Sequence, residues 1–306
     1  MERKDRIDAV GAAALVIFSL LLGLNQALVK IVNEAFAPAF QAGLRSVCAF
    51  FPVLLFAIVT RRRLSISDGS LIPGIITGFL FAAEFILLFQ ALDYTTVARA
   101  SIFFYTMPFW VALGAHFLIP GDRLTGRKIA GLALAVAGVA LALSRNAAPA
   151  TEDAFLGDLM CLLGAVGWAG IALIARTTAF SKSSPEMQLL YQLAVSAPIM
   201  LGLALILGDM VRAPEPFHFA VFAFQVLVVV SVGFLTWFWV LSIYPASDMA
   251  SFSFLAPVFG VVFGWAIFGD PITWTIVAAL ALVAAGIVLV NRKPRAPRPV
   301  TATEVS

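Results

Sequence analysis

The chain has 306 residues, of which 61% are hydrophobic and only 12% are charged. A soluble domain carries about a quarter charged residues, so this composition excludes an ordinary soluble fold. The net charge of +3 does not indicate nucleic-acid binding, because most basic residues lie in short segments between apolar runs. The two cysteines lie inside apolar runs without metal-ligand spacing, and we expect neither a metal nor a cofactor.

Repeated apolar runs of about 20 residues predict an all-α polytopic membrane protein, because a helix of that length crosses the hydrocarbon layer. Ten transmembrane helices are predicted, at 9–31, 37–60, 71–92, 97–119, 126–144, 157–176, 186–208, 217–241, 246–268 and 273–291. The basic, proline-rich tail 294–306 is predicted to be disordered and cytoplasmic.

Lysine and arginine are distributed unevenly between the two sides of these spans. With the N-terminus inside, 15 of them lie in segments that face the cytoplasm. Only Lys30, Arg145 and Arg212 lie in segments that face outside. The positive-inside rule therefore predicts that both termini are cytoplasmic.

A Gly-Asp-x-x-Thr turn followed by an apolar run occurs twice, at 121–141 and 269–289, and the two segments share ten of 21 residues. The first copy carries three basic residues and the second carries none, so the copies are predicted to face opposite sides. The chain then divides into two inverted five-helix repeats, 1–146 and 147–293. Inverted repeats are a recurrent plan of secondary transporters, with the substrate site near the midplane.

Short motifs are distributed over both halves: Gly23-Leu-Asn25-x4-Lys30, Ala91-Leu-Asp-Tyr-Thr-Thr-x-Ala98, Pro108 within a span, Asp122-Arg-Leu-Thr125, Pro245-Ala-Ser247, Pro257 and Asp270-Pro-Ile-Thr273. Together they resemble the EamA-type drug/metabolite transporter superfamily. The resemblance implies a ten-span exporter of small solutes in the bacterial inner membrane. In overall similarity and aromatic content the chain looks most like the bacterial aromatic amino-acid exporters. The family usually carries Glu where Asp122 and Asp270 stand.

Glu84 is an ionisable residue in the middle of the third span, where a charge is costly and tends to be functional or paired. Helical spacing places it on one face with Gly74, Thr77, Phe81 and Leu88. One reading is a cavity carboxylate that meets a substrate ammonium group or carries a proton. The other is a neutral carboxylic acid that is hydrogen-bonded to a neighbouring helix.

Asn25 and Lys30 in the first span, with Arg45 in the second, form a polar stripe on one hairpin. Lys30 lies at the outer rim, where its side chain can reach the lipid headgroups. Arg45 lies about two turns inside its span and needs a partner or a wet cavity. These residues are predicted either to clamp helices together or to contact substrate and gate the path.

Spans four and nine repeat one pattern around a proline. Ser101, Tyr105 and Pro108 share a face in the fourth span, and Ser253 and Pro257 lie in the ninth. A proline inside a span kinks the helix or frees a carbonyl, so Pro108 and Pro257 are predicted to shape the binding centre or only the fold. Ser101, Tyr105 and Ser253 are candidate substrate-binding residues.

Two tryptophans are candidates for an apolar lining of the site. Trp168 lies among Gly164, Gly167 and Gly170, which allow close approach of helices and ligand. Trp239 lies three residues from Thr236, on a face that is more polar than its neighbours. Such a lining suits amphipathic, partly apolar solutes.

Charged residues at the span ends are interpreted as structural. Asp93, Arg99, Tyr244 and Asp248 lie at span ends, where rim ion pairs and helix caps explain them, with gating as the alternative. The threonine of each repeated turn, Thr125 or Thr273, is predicted to cap the helix that follows.

These patterns predict a secondary transporter that exports amino acids, aromatic ones included, and related metabolites by alternating access. An exporter of another metabolite or drug class and a passive solute channel are the alternatives. No P-loop is present, which excludes a self-contained ATP-driven pump. We expect no enzyme, because no metalloprotease helix, nucleophile elbow or paired-acid signature is present. The predicted partners are a small-molecule substrate and the lipid bilayer. Whether a proton is coupled, and whether the chain is a monomer or a homodimer, stays open.

Overall fold

A computed structural model describes residues 8–120, 123–143, 153–208, 210–233, 236, 240, 252 and 254–291. Within them the fold is a bundle of α-helices that follow the predicted spans closely. The helices are α1 (Ala9–Asn33), α2 (Pro38–Val59), α3 (Leu71–Tyr94), α4 (Val97–Phe104), α5 (Met107–Leu118), α6 (Gly126–Ala142), α7 (Ala154–Thr177), α8 (Pro185–Leu207), α9 (Pro216–Phe224), α10 (Leu255–Phe268) and α11 (Trp274–Asn291). The predicted tail 294–306, and the predicted boundary between the repeats at 146/147, lie outside the described residues.

Six membrane-length apolar segments are present among the described residues: α1, α2, α3, α4 with α5, α7 and α8. Shorter apolar helices complete the bundle where α9, α10 and α11 lie. Many large apolar side chains on their outward faces are exposed, as lipid-facing residues are in a membrane bundle. The chain is therefore a multi-pass membrane protein.

The fourth span is two helices instead of one. α4 ends at Phe104 and α5 begins at Met107, so the interruption falls directly before Pro108. Pro108 lies in the first turn of α5, where its missing N–H leaves no hydrogen bond unmade. The predicted break at this proline is confirmed. Pro257 likewise lies in the first described turn of α10, and most of the chain before it, 241–251 and 253, lies outside the described residues.

The two copies of the repeated segment, α6 and α11, pack against each other. A Cβ built on Gly131 would lie 2.9 Å from the carbonyl oxygen of Gly286, and one built on Gly138 would lie 2.9 Å from that of Ala279. In the alignment of the copies, Gly131 corresponds to Ala279 and Gly138 corresponds to Gly286. Each of these two glycines of α6 therefore meets the residue of α11 that corresponds to the other glycine. Such a reciprocal contact is the pattern of a two-fold axis.

The threonine of each repeated turn caps the helix that follows it. The Thr125 hydroxyl accepts a 3.4 Å hydrogen bond from the Lys128 N–H, and the Thr273 hydroxyl accepts a 3.3 Å bond from the Ile276 N–H. Both threonines therefore cap the helices that follow, as predicted.

We name the two ends of the bundle by the contacts that define them. The upper end is where α1 ends and α2 begins. There the connection at Phe36 forms an isolated antiparallel bridge with Val211, between α8 and α9. The lower end is where α2 ends and α3 begins, and there Arg62 forms a 3.0 Å ion pair with Glu186 at the start of α8. The sequence predicts that the upper end faces outside and the lower end faces the cytoplasm.

Candidate substrate site

Arg45 is a buried cation near mid-depth on α2, with 5% of its surface exposed. Its guanidinium lies over the rings of Phe85 and Phe89 on α3, 4.4 Å and 4.7 Å from their centroids. Its Nη1 donates a 3.4 Å hydrogen bond to Asn25 Oδ1 on α1. Aromatic faces and one amide thus supply the partners that the sequence required, and among the described residues most of the five guanidinium N–H donors have no hydrogen-bond acceptor.

Glu84 lies at the middle of α3 and is 4% exposed. The face predicted for it is confirmed, since Gly74, Thr77, Phe81 and Leu88 are all buried with it. Glu84 and Arg45 interact electrostatically. The Oε2 atom of Glu84 has no hydrogen-bond partner among the described residues. A buried carboxyl oxygen without a partner at mid-depth is costly, and that cost is typical of a functional position.

An aromatic wall lies beside this carboxyl group. The Trp168 ring stacks on Phe104, with centroids 5.3 Å apart, and meets Tyr105 edge-on at 6.3 Å. α7 reaches α3 here through glycines, because a Cβ on Gly167 would lie only 3.6 Å from Glu84 Cβ. The fold therefore brings together three of the predicted binding residues, Glu84, Tyr105 and Trp168. We name Asn25, Arg45, Glu84, Tyr105 and Trp168 the central cluster.

Two further buried glutamines belong to the same region of the bundle. Gln41, one turn before Arg45 on α2, and Gln225, after α9, are 0% exposed, and their side-chain amide atoms have no partner among the described residues. A π-helical segment begins at Gln225 and runs to Val232, and such segments are frequent at functional sites. Gln225 is not among the residues predicted from the sequence, although a lone amide inside an apolar span indicates it.

The first turns of α4 form a junction that holds α1 and α10 at the upper end. The Ser101 hydroxyl donates a 2.5 Å hydrogen bond to Gln26 Oε1 on α1. α10 presses on the same hydroxyl, because a Cβ on Gly260 would lie 1.9 Å from Ser101 Oγ. In this conformation Ser101, a predicted substrate-binding residue, is 0% exposed and joins three helices.

The sequence predicts that the Lys30 side chain can reach the lipid headgroups, whereas in the structure it bonds to the protein. Its Nζ donates a 2.7 Å hydrogen bond to the carbonyl oxygen of Thr95, in the turn between α3 and α4, and lies 5.6 Å from the Phe268 ring centroid. Lys30 therefore ties α1 to the junction.

Two carboxylates complete the junction. Asp270 Oδ2, beyond α10, accepts a 3.0 Å hydrogen bond from the Ala98 N–H in the first turn of α4, and burial raises the pKa of this carboxyl group. Asp158 on α7 forms an ion pair with Arg99 and accepts a 2.8 Å hydrogen bond from the Thr95 hydroxyl. Asp270, read from the sequence as part of a turn motif, thus also caps a helix of the other half.

The remaining predicted residues are placed as follows. Arg99 pairs with Asp158, and Asp93 pairs with Arg212 at 2.7 Å, so the predicted rim pairing is present for both. Trp239, Tyr244, Asp248 and Ser253 lie outside the described residues. Within the described chain, the structure groups no three His, Cys, Asp or Glu side chains that could hold a metal ion.

A bundle of membrane-length helices around a mid-depth cation, carboxyl group and aromatic wall defines a multi-pass membrane protein of the transporter class. The EamA-like transporter family model matches residues 9–144 and 155–292. The chain therefore belongs to the EamA-like transporter family, a family of ten-span transporters.

Two relatives with similar sequences are also named as transporters or efflux pumps. The chain is 28% identical over 271 residues to a probable amino-acid metabolite efflux pump of Escherichia coli (strain K12), covering 85% of this chain and 86% of the relative. It is 25% identical over 272 residues to the uncharacterized transporter YoaV of Bacillus subtilis (strain 168), covering 88% and 92%. A solved structure described only as the crystal structure of a protein matches with a TM-score of 0.64 at 18% identity, covering 91% of this chain and 96% of that one. That last match shows the fold alone.

Proposed function

We propose that the chain exports amino acids, aromatic ones included, and related small metabolites across the bacterial inner membrane. The class of transporter rests on the family, and the E. coli relative named as an amino-acid metabolite efflux pump supports the substrate class. A relative of the same name from Salmonella typhimurium is 26% identical, and the match covers 94% of both chains.

The observation that carries the substrate class is the central cluster. An amino acid has a carboxylate and an ammonium group on one carbon, and Arg45 and Glu84 offer a buried cation and a buried carboxyl group that interact electrostatically. Arg45 has donors left, and Glu84 Oε2 lacks a partner among the described residues. The Trp168 ring beside them suits an aromatic or apolar side chain.

Transport by alternating access follows from two inverted five-helix halves, 1–146 and 147–293, that rock around this cluster. The reciprocal contact between α6 and α11 and the two separate family matches support this arrangement. Both termini would face the cytoplasm. In the conformation described, the junction at α4 holds the upper end together, and opening it is the step that releases solute outside.

The test uses purified protein reconstituted in vesicles, with uptake of labelled phenylalanine as the readout. Glu84→Gln should lower the rate by about tenfold or more, because it removes one half of a buried charge arrangement. Trp168→Ala should change the order of preference among competing amino acids. Trp274→Ala, whose side chain is 82% exposed, is the matched control and should leave that order unchanged.

Wild-type rates and preference in folded Glu84→Gln and Trp168→Ala proteins would contradict the assignment of the central cluster. Linear, non-saturating flux in the wild type would instead favour a passive channel.

A further inference from the structure

A second polar cavity lies at the upper end of the bundle. It has a volume of about 370 Å³ and is lined by Lys30, Asn33, Glu34, Leu92, Asp93 and Arg212. Asn33 lies eight residues beyond Asn25 on α1, and Asp93 lies nine residues beyond Glu84 on α3. At 1.5 Å per residue, the cavity is about 12–14 Å along the helices from the central cluster, so it is a separate place.

The far wall of the cavity is a fixed frame. Arg212 forms a 2.7 Å ion pair with Asp93 Oδ2 and donates a 2.8 Å hydrogen bond to the carbonyl oxygen of Asn33. The Asn33 amide donates 2.8 Å hydrogen bonds to Asp93 Oδ1 and to the carbonyl oxygen of Phe89. The charges of Arg212 and Asp93 therefore largely satisfy each other, and they shape the cavity more than they attract a ligand.

The other lining residues include two groups of opposite charge, Lys30 and Glu34, that can form further hydrogen bonds. The Lys30 ammonium has three donors, and the structure assigns one of them, to Thr95. The Glu34 side chain is 66% exposed, with His218, at 3.7 Å, and the Lys30 ammonium group as its charged neighbours among the described residues. Asn33 Oδ1 is a further acceptor that has no hydrogen-bond partner among the described residues. A cation donor, a carboxylate and a spare acceptor thus line one cavity.

We propose that this cavity is a second binding site, for a small zwitterion with the head group of an α-amino acid. The ligand carboxylate binds Lys30, and its ammonium group binds Glu34. The site goes beyond the transport function and does not require it, because binding is measured on the purified chain. In an exporter whose upper end faces outside, solute at this site is on the release side.

Isothermal titration of the purified full chain in detergent at low salt tests the site, with L-phenylalanine as the probe. The titration is done in a Glu84→Gln background, which removes a contact of the central cluster. Adding Glu34→Gln should weaken the remaining binding by about twofold to fivefold, the effect of one exposed charge pair. Asp153→Asn is the matched control, since Asp153 is an exposed carboxylate at the same end but outside the cavity lining, and it should change nothing.

Ligand analogues separate the two ends of the zwitterion. Phenethylamine lacks the carboxylate and 3-phenylpropionate lacks the amino group, so both should bind more weakly than phenylalanine in the Glu84→Gln background. No binding in that background, equal binding with and without Glu34→Gln, or an analogue that binds as tightly as phenylalanine would overturn the proposal. Binding that depends on Glu34 in a protein without amino-acid flux would refute the proposed function and leave this site standing.

Discussion

Breaking the ion pair between Arg99 and Asp158 should lower the free energy of unfolding more than any other single charge change at the upper end. Asp158 is 0% exposed and Arg99 is 4% exposed. Asp158 also accepts a 2.8 Å hydrogen bond from the Thr95 hydroxyl. Asp158→Asn keeps the shape of the side chain but leaves the guanidinium buried without its counter-charge. Leaving a buried charge uncompensated costs about 3–5 kcal/mol of the free energy of unfolding.

The assay is unfolding of the purified protein by titration with sodium dodecyl sulfate, followed by circular dichroism. Asp93→Asn is the matched control, because its partner Arg212 is 39% exposed, and it should cost about 1 kcal/mol or less. The double variant Arg99→Met with Asp158→Leu removes both charges and should be more stable than Asp158→Asn alone. A loss of under about 1 kcal/mol for Asp158→Asn, or a double variant as unstable as the single one, would refute the reasoning.

Two further variants test the helix junction and the overlooked glutamine. Gly260→Ala should destabilise the protein by about 1–3 kcal/mol, because its Cβ would lie 1.9 Å from Ser101 Oγ, and Ser101→Gly in the same chain should restore part of that loss. No loss in the single variant, or no recovery in the double one, would show that α10 and α4 do not pack as described. Gln225→Leu should leave the free energy of unfolding unchanged or raise it, since the amide has no partner among the described residues, while amino-acid affinity falls. Clear destabilisation with unchanged affinity would assign Gln225 a structural role.

The helices and their faces were predictable from the sequence because apolar length and helical spacing are local properties. Seven spans were placed within three residues of the observed helices. The face of α3 that carries Glu84 was found from spacing alone. The break before Pro108 followed from the missing N–H of proline.

Contacts between distant segments were not predictable, because no periodicity links residues on different helices. Arg99 was expected to find a partner at the rim, but nothing in the chain indicated Asp158, 59 residues away. Asp270 was read as part of a turn, and its hydrogen bond to the N–H of Ala98 spans 172 residues. Lys30 had two plausible surroundings, and only the fold shows that the Thr95 carbonyl is within its reach.

The central cluster was predictable from the sequence only in part. Glu84 and Trp168 were chosen because of a charge and a glycine-flanked indole inside spans, and the fold brings them together through Gly167. Arg45 was expected to need a partner, but the two phenylalanine faces that hold it come from the next helix. Their roles in binding stay predictions.

The central claim is that this family member carries amino acids by alternating access, and counterflow tests it most directly. Vesicles that contain the purified chain and unlabelled phenylalanine are diluted into a trace of labelled phenylalanine. A carrier accumulates the label transiently above equilibrium, with an initial rate that saturates, and this is the result we predict. Label that never exceeds equilibrium, with flux linear in concentration, would contradict it.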